Sequence, residues 1–274
     1  MTYKIIILTG NELRHKYFRT IMSNDNRFSV LATISEDTEN SLQSRVYNNP
    51  KSTYLESLHV SARTQMEKDM LWDSVSHISD KSNPIVIPKG TINDDEVTNR
   101  IYSYHPDILV CYGSSIIKST LLKDYANKFL NVHLGLSPYY RGSGTNVWPL
   151  INKEPHMVGA TFMYMNEGID TGKIIHQIRA QFFIGDSPHS IGNRLIKQMT
   201  CTYRNIIANF DDLTDEEQPN HKGKLYKQQD FNAKACKDLY DAINSTMIER
   251  YISSLEHQVS LPYIVQNRGL SPTL

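Results

Sequence analysis

The chain has 274 residues, of which 39% are hydrophobic and 21% are charged. These proportions are ordinary for a globular protein with a buried core, and the length fits one large domain or one domain with a small appendage. Lys and Arg together number 29, as do Asp and Glu, so the formal net charge is zero. A protein that binds nucleic acid mainly through phosphate contacts normally has a basic excess, so the composition disfavours that class.

The N-terminal apolar run ends at Gly10, lacks a cleavage-site pattern and is too short to span a membrane. Cys111, Cys201 and Cys236 lie far apart without CxxC spacing, which predicts neither a zinc site nor a disulfide framework. The histidines show no ligand spacing such as HExxH. We therefore expect a cytoplasmic protein with reduced thiols, no membrane association and no bound metal.

Strand-like apolar runs alternate with helical patterns along the chain, which predicts an α/β fold with a mostly parallel sheet. The predicted strands, in chain order, are residues 4–8, 28–34, 85–87, 108–112, 129–133, 158–165 and 173–179. The predicted helices are residues 13–21, 60–78, 97–104 and 188–210, and the last begins after Asp186 and Ser187 with a proline in its first turn.

Two segments are less regular. Residues 35 to 58 are polar, rich in Ser and Asn, and without a clear period, so we predict a loop or insertion there. The polar run 211–224 predicts a linker to the C-terminal residues, which are too few for a core of their own. We therefore predict a catalytic domain over 1–212 and a small segment over 213–274 that packs back on it.

Three polar motifs lie at predicted strand ends, where open α/β sheets bind ligands. The first is CYGSSII from Cys111, the second is NVHLGLSPYYRG from Asn131, and the third is GIDTG around Asp170. Asn131 and His133 are two apart on one strand, so they face the same side. An amide and an imidazole aimed at one point can hold a developing oxyanion and move protons, and an Asp can orient the imidazole. Taken alone, such a His is more often a structural hydrogen-bonding residue, and such an Asp a turn residue.

The order of these motifs resembles that of the folate-dependent N-formyltransferases. The family includes glycinamide ribonucleotide transformylase, methionyl-tRNA formyltransferase and the nucleotide-linked amino-sugar N-formyltransferases. The resemblance covers about residues 100 to 210 and is weaker from the N-terminus. It implies a Rossmann-like, mostly parallel twisted sheet with helices on both faces, followed by a short C-terminal extension.

The resemblance also implies roles for particular residues. Asn131, His133 and Asp170 match the catalytic trio of the family. The co-substrate is N10-formyltetrahydrofolate, whose pterin contacts main-chain groups after the fourth strand and beside the Asp loop. The matching positions here are Ser114, Ser115, Ile116, Ile117, Gly168 and Ile169.

The acceptor amine is less clearly indicated. Residues 9–15 lack the glycine-rich phosphate loop typical of the glycinamide ribonucleotide enzymes, and they leave Asn11 and Arg14 as candidates for contacting an anionic acceptor. Tyr139 and Tyr140 beside Arg141 suit stacking on a sugar or base and pairing with a pyrophosphate, although core packing explains such aromatics equally well.

These residues favour a nucleotide-linked amino deoxysugar of a nonulosonate or other surface-glycan pathway, such as a UDP-linked 4-amino-4,6-dideoxy-N-acetylhexosamine. Glycinamide ribonucleotide, methionyl-tRNA and a non-catalytic, folate-binding role stay open as alternatives. The expected partners are small molecules and not nucleic acid, and a homodimer is left open.

Overall fold

The structure of the protein is a computed structural model. It describes residues 2–39, 41–220, 223–257 and 261–270. Its strands are β1 (Tyr3–Gly10), β2 (Phe28–Glu36), β3 (Pro84–Ile87), β4 (Ile108–Tyr112), β5 (Phe129–His133), β6 (Tyr140–Gly142), β7 (Gly159–Tyr164), β8 (Ile174–Arg179) and β9 (Lys224–Tyr226). Its α-helices are α1 (Leu13–Ser23), α2 (Leu42–Asn48), α3 (Tyr54–His77), α4 (Asp95–Ser103), α5 (Ser119–Asp124), α6 (Trp148–Ile151), α7 (Pro188–Ala208), α8 (Ala233–Ile243) and α9 (Met247–Glu256).

Seven strands form one sheet in the order β3-β2-β1-β4-β5-β7-β8. The first five are parallel to one another, and β7 runs antiparallel to both of its neighbours. This arrangement confirms the predicted mostly parallel sheet. The strand order reverses between β1 and β4, which is the kind of position where open α/β sheets bind ligands.

Helices cover both faces of the sheet because the apolar residues of β1 point alternately to each side. Ile5 and Ile7 pack in one buried cluster with residues of α1, α3 and α7, whereas Ile6 and Leu8 pack in another with residues of α4 and α5. All four side chains are fully buried.

The loop predicted over residues 35–58 is wrong in most of its length. Strand β2 continues to Glu36, α2 follows, and α3 starts six residues before the predicted position at 60. Thr53 and Glu56 form a reciprocal capping box at the start of α3. That Thr-x-x-Glu spacing is a helix-start signal, and the weak apolar period of the following residues obscured it.

The C-terminal residues contact the rest of the chain at several points. Strand β9 pairs in parallel with β6, so that Tyr140 lies opposite Lys224. Leu239 of α8 is fully buried in the cluster that holds Ile5. The backbone N–H of Gln177 donates to the carbonyl of Val265 over 2.8 Å. The boundary at residue 212 stays a prediction, and residues 221, 222, 258–260 and 271–274 of that segment lie outside the described residues.

In the part of the chain that the structure describes, no helix combines the length and the apolar character needed to cross a bilayer.

Candidate active site

A cavity of about 1070 Å³ opens at the carboxyl ends of β1, β2, β4 and β5. Its lining includes the predicted trio and each predicted pterin-contacting residue, and also Asn11 and Arg14. Residues of the loops after β1, β2, β4 and β5 meet in one cavity because parallel strands end at the same edge of the sheet, whereas Asp170 reaches it from the loop after the antiparallel strand β7. The volume is at the upper end of the range typical of small-molecule sites, about 300 to 1,000 Å³.

Asn131 and His133 extend from β5 into this cavity. The His133 side chain is 8% exposed, whereas Asn131 is only partly buried. Among the described residues, no hydrogen-bond partner is found for the Asn131 carboxamide. The amide is therefore available to a ligand in the cavity.

The His133 ring is held from two sides. Its Nε2 lies 2.9 Å from the carbonyl oxygen of Tyr140, and its Nδ1 lies 3.3 Å from Oδ2 of Asp170. A carbonyl oxygen only accepts hydrogen bonds, so Nε2 carries the hydrogen of that contact. These two contacts fix the plane of the imidazole.

Asp170 lies in the loop between β7 and β8 with a φ of 54°, a left-handed conformation that Asp tolerates better than most residues. Its Oδ2 accepts a hydrogen bond from the backbone N–H of Gly142 over 2.8 Å. Strand β6 therefore supports both residues of this contact, because the Tyr140 carbonyl binds His133 at one end and the Gly142 N–H binds Asp170 at the other.

The loop after β4 presents Ile116, which is 67% exposed, and the loop after β7 presents Ile169, which is 39% exposed. Both side chains line the cavity. Part of the main chain after β4 is already engaged, because Ser115 N donates to Glu36 Oε2 over 2.5 Å and Ile116 O accepts from Asn93 Nδ2 over 2.9 Å.

Glu36 is a residue of this site that sequence reasoning missed. It is fully buried at the end of β2. Besides Ser115, its carboxylate accepts hydrogen bonds from Lys89 Nζ at 3.0 Å and from Gly90 N at 2.8 Å. Three donors compensate the burial of this charge and fix the loop after β4. Its position at the carboxyl end of a strand could have indicated a site residue. We predicted that the strand ends at residue 34, so Glu36 was assigned to the loop that follows.

Another part of the cavity lining, from residues 12–14 and α3, carries balanced charges. Arg14 Nη1 lies 2.9 Å from Glu67 Oε1, and Arg14 also pairs with Glu12. Arg63 lies 3.6 Å from Glu12 and 3.4 Å from Glu67. Two arginines thus face two glutamates. Asn11 is also engaged, since its Oδ1 accepts from Arg19 over 3.1 Å.

Neutral polar groups complete this part of the lining, and no motif in the sequence singled them out. Burial lowers the pKa of His59 to about 3 and that of His189 to about 4, so both rings are neutral near pH 7. Their ring centroids lie 4.7 Å apart, and Phe231 packs 5.0 Å from His59. Asn193 is 4% exposed, and its Oδ1 has no hydrogen-bond partner in the described chain.

Tyr139, Tyr140 and Arg141 do not line the cavity. The Tyr140 ring is buried and stacks 5.9 Å from Tyr226, and its hydroxyl donates to Glu154. Arg141 donates to the carbonyl of Gly223 over 3.0 Å. The Tyr140 side chain therefore packs in the core, as the alternative interpretation of the sequence had it. The positions of the three side chains do not support the predicted contact with the substrate. The main chain of β6 reaches the site instead.

No group of three or more His, Cys, Asp or Glu among the described residues is arranged to hold a metal ion.

This arrangement belongs to a known class. A family model described as "Formyl transferase" matches residues 4–207, and the chain belongs to that family. Among curated proteins, the methionyl-tRNA formyltransferase of Finegoldia magna is 28% identical over 163 residues, which cover 55% of this chain and 51% of that protein. The phosphoribosylglycinamide formyltransferase of Escherichia coli K12 is 32% identical over 121 residues, which cover 43% and 56%. The chain thus spans about half the length of these relatives.

Solved structures share the fold. A sugar N-formyltransferase from Shewanella sp FDAARGOS_354 superposes with a TM-score of 0.57 at 20% identity, covering 88% of this chain and 87% of that one. An N-formyltransferase from Helicobacter canadensis, in complex with folinic acid and dTDP-3-aminofucose, gives a TM-score of 0.53 at 15% identity, covering 92% and 82%. At these identities the likeness establishes the fold alone.

Proposed function

We propose that the protein transfers the formyl group of N10-formyltetrahydrofolate to the amine of a nucleotide-linked amino deoxysugar. The observation that carries the proposal is the meeting of Asn131, His133 and Asp170 in one cavity of about 1070 Å³, in a chain of the formyl transferase family. We place the reaction in the cytoplasm, with small molecules as partners.

The three residues would divide the chemistry. The Asn131 carboxamide, which has no hydrogen-bond partner among the described residues, would donate a hydrogen bond to the formyl oxygen, which gains negative charge as the amine attacks. In the tautomer that carries its hydrogen on Nδ1, His133 would turn Nε2 away from the Tyr140 carbonyl, take the proton that the amine loses, and pass it to N10 of the folate as the bond between N10 and the formyl carbon breaks. Asp170, whose Oδ2 lies 3.3 Å from Nδ1, would accept the Nδ1 hydrogen bond and orient the imidazole.

The residues at the loop after β4 fit a folate. Bound N10-formyltetrahydrofolate would supply an activated formyl group. Ile116 and Ile169 offer exposed apolar surface to a flat heterocycle, and Glu36 keeps the loop that carries Ser115 in place. Ser114, Ile117 and Gly168 line the same part of the cavity. We propose this wall as the folate side.

The lining contributed by residues 12–14, α3 and α7 supports a sugar acceptor. Arg14 and Arg63 are paired with glutamates there, and His59 and His189 are neutral. Neutral hydrogen-bonding groups beside an aromatic ring suit a polyhydroxylated molecule better than a highly charged one. Lys227 also lines the cavity, and no ion-pair partner for it is found among the described residues. We propose that it contacts the phosphates of the nucleotide.

The first experiment mixes the protein and N10-formyltetrahydrofolate with UDP- and dTDP-linked amino sugars, and separately with glycinamide ribonucleotide or methionyl-tRNA. Mass spectrometry then looks for an added formyl group. We expect a sugar to gain it, with a UDP-linked 4-amino-4,6-dideoxy-N-acetylhexosamine as the first candidate.

Formylation of glycinamide ribonucleotide or methionyl-tRNA alone would overturn the proposed acceptor but support the proposed formyl transfer. Folate-analogue binding without any transfer would indicate a non-catalytic member of the fold. Failure to bind a folate analogue would overturn the proposal as a whole.

A further inference from the structure

Gln218 contacts the loop that carries Asp170 from outside the cavity. Its Nε2 donates to the carbonyl oxygens of Asp170 and Gly172, over 2.9 and 2.8 Å. Gln218 is half-buried and does not line the cavity. Two residues earlier, Glu216 pairs with Ile174 at the start of β8, which anchors this stretch of chain beside the loop.

The backbone of the loop needs such support at Asp170. A φ of 54° is sparsely populated for a residue with a side chain, and conformations of this kind persist where the surroundings hold them. Asn166 holds the first half of the loop, since its Oδ1 accepts from Gly168 N and Thr171 Oγ1 at 3.1 and 2.9 Å. Gln218 holds the second half by tying together the carbonyls on either side of Thr171.

We propose that Gln218 is a positioning residue for the formyl-transfer reaction, acting through Asp170 on His133. The path consists of two contacts. Gln218 fixes the main chain of Asp170, and the Asp170 carboxylate lies 3.3 Å from His133 Nδ1. A turn of the Asp170 peptide would move the carboxylate away from the ring. The catalytic part of this inference depends on the proposed function, whereas the effect on the His133 ring does not.

Gln266 supplies a matched control. Its Nε2 also donates to two main-chain carbonyls, those of Gln177 and Val265, at 2.6 and 3.3 Å. It too belongs to the C-terminal part of the chain, and it does not line the cavity. Gln266→Ala therefore removes similar hydrogen bonds without touching the Asp170 loop.

The experiment compares Gln218→Ala, Gln218→Glu and Gln266→Ala in the full chain. The first readout is the ¹⁵N resonances of the His133 imidazole, assigned by their loss in His133→Asn. We expect both Gln218 variants to shift these resonances, Gln218→Glu more strongly because a carboxylate opposes the two carbonyls. Gln266→Ala should leave them in place.

The second readout is steady-state transfer to the acceptor identified above. Gln218→Ala should lower kcat roughly 10- to 100-fold, as expected when a catalytic group is displaced by about 1 Å, with the KM for the acceptor little changed. In an Asp170→Asn background, Gln218→Ala should have little further effect on kcat. Gln218 acts through Asp170, so the effects of the two substitutions on kcat should not add.

His133 resonances and kcat that respond alike to Gln218→Ala and Gln266→Ala would overturn the inference, since Gln218 would then only contribute stability. If the wild-type protein formylates no acceptor, the proposed function fails, and the resonances alone decide the role of Gln218.

Discussion

Asn131 and His133 share one strand and one side of it, yet their surroundings differ. The His133 nitrogens face the Tyr140 carbonyl and the Asp170 carboxylate, whereas no partner of the Asn131 amide is found among the described residues. Within the part of the chain that the structure describes, Asn131 is therefore the member of the trio whose hydrogen-bond donors have no protein acceptor.

This difference predicts the effect of Asn131→Ala. Losing one oxyanion donor costs about 3 to 4 kcal/mol in the transition state, so turnover should fall by roughly two to three orders of magnitude. Steady-state formyl transfer measures the change, with folate-analogue affinity measured in parallel. Asn209→Ala, at the partly buried C-cap of α7 and outside the cavity lining, is the control. Near-full turnover in Asn131→Ala would remove the residue from the mechanism.

A second residue-scale prediction concerns acid stability. Burial lowers the pKa of His176 to about 4, and its Nδ1 accepts a hydrogen bond from Asn267 N over 3.0 Å. Below the unfolded pKa of 6.5 the unfolded chain binds a proton that the folded chain does not. The free energy of unfolding should therefore decrease as the pH falls from 6.5 towards 4, by up to about 3 kcal/mol from this residue.

In His176→Asn an amide oxygen can replace Nδ1 without titrating. Urea unfolding at several pH values should show a shallower loss of stability for this variant than for the wild type. Exposed His257→Asn should leave the slope unchanged. An identical slope in His176→Asn and the wild type would assign the acid sensitivity to other groups.

At the scale of elements, the turn between β5 and β6 is built closely around the site. A Cβ at Gly135 would lie 2.6 Å from His133 Nε2 and 2.8 Å from the Tyr140 carbonyl oxygen. These are the two atoms whose contact orients the imidazole. Position 135 therefore requires glycine, because any side chain there would clash with these two atoms.

We expect Gly135→Ala to lower kcat at least tenfold, because the added methyl group displaces the ring from its catalytic position. The control is Gly185→Ala, at a φ of 84° with no atoms within 4 Å of the added carbon. That change should reduce the free energy of unfolding by about 1 kcal/mol through backbone strain and leave kcat intact. Equal kcat in both variants would show that the His133 ring adapts.

At the scale of the whole molecule, the C-terminal helices share the core of the sheet domain. Leu239 of α8 and Ile248 of α9 are buried in the same cluster as Ile5 and Tyr203. We therefore expect the chain to unfold in one cooperative transition, although residues 213–274 form a separate segment in the sequence prediction.

Leu239→Ala tests this expectation. Truncation of a fully buried leucine typically costs about 2 to 5 kcal/mol, and here the whole protein should be destabilised by that amount in urea unfolding. Leu255→Ala, at a side chain that is 41% exposed, should change the stability little. Two separate transitions in Leu239→Ala would show that the C-terminal segment unfolds independently.

The sequence by itself determined the fold class, and the resemblance of its motifs to a known family predicted that Asn131, His133 and Asp170 are catalytic. Runs of apolar residues such as Ile108–Tyr112 can be satisfied only in a strand covered on both faces. The spacing of Asn131 and His133 places both side chains on one side of β5. The fold class and the common side of Asn131 and His133 rest on local periodicity, which does not depend on distant parts of the chain, whereas the catalytic roles rest on the resemblance.

Only the tertiary structure decided the direction of β7 and which distant residues meet in the cavity. The apolar pattern of a strand is the same in parallel and antiparallel pairing, so the sequence could not show that β7 reverses. Glu36 and Gln218 act through partners distant in the chain, and no local pattern marks such contacts. Tyr140 faces the core and supplies the site with its carbonyl, an atom that every residue type carries.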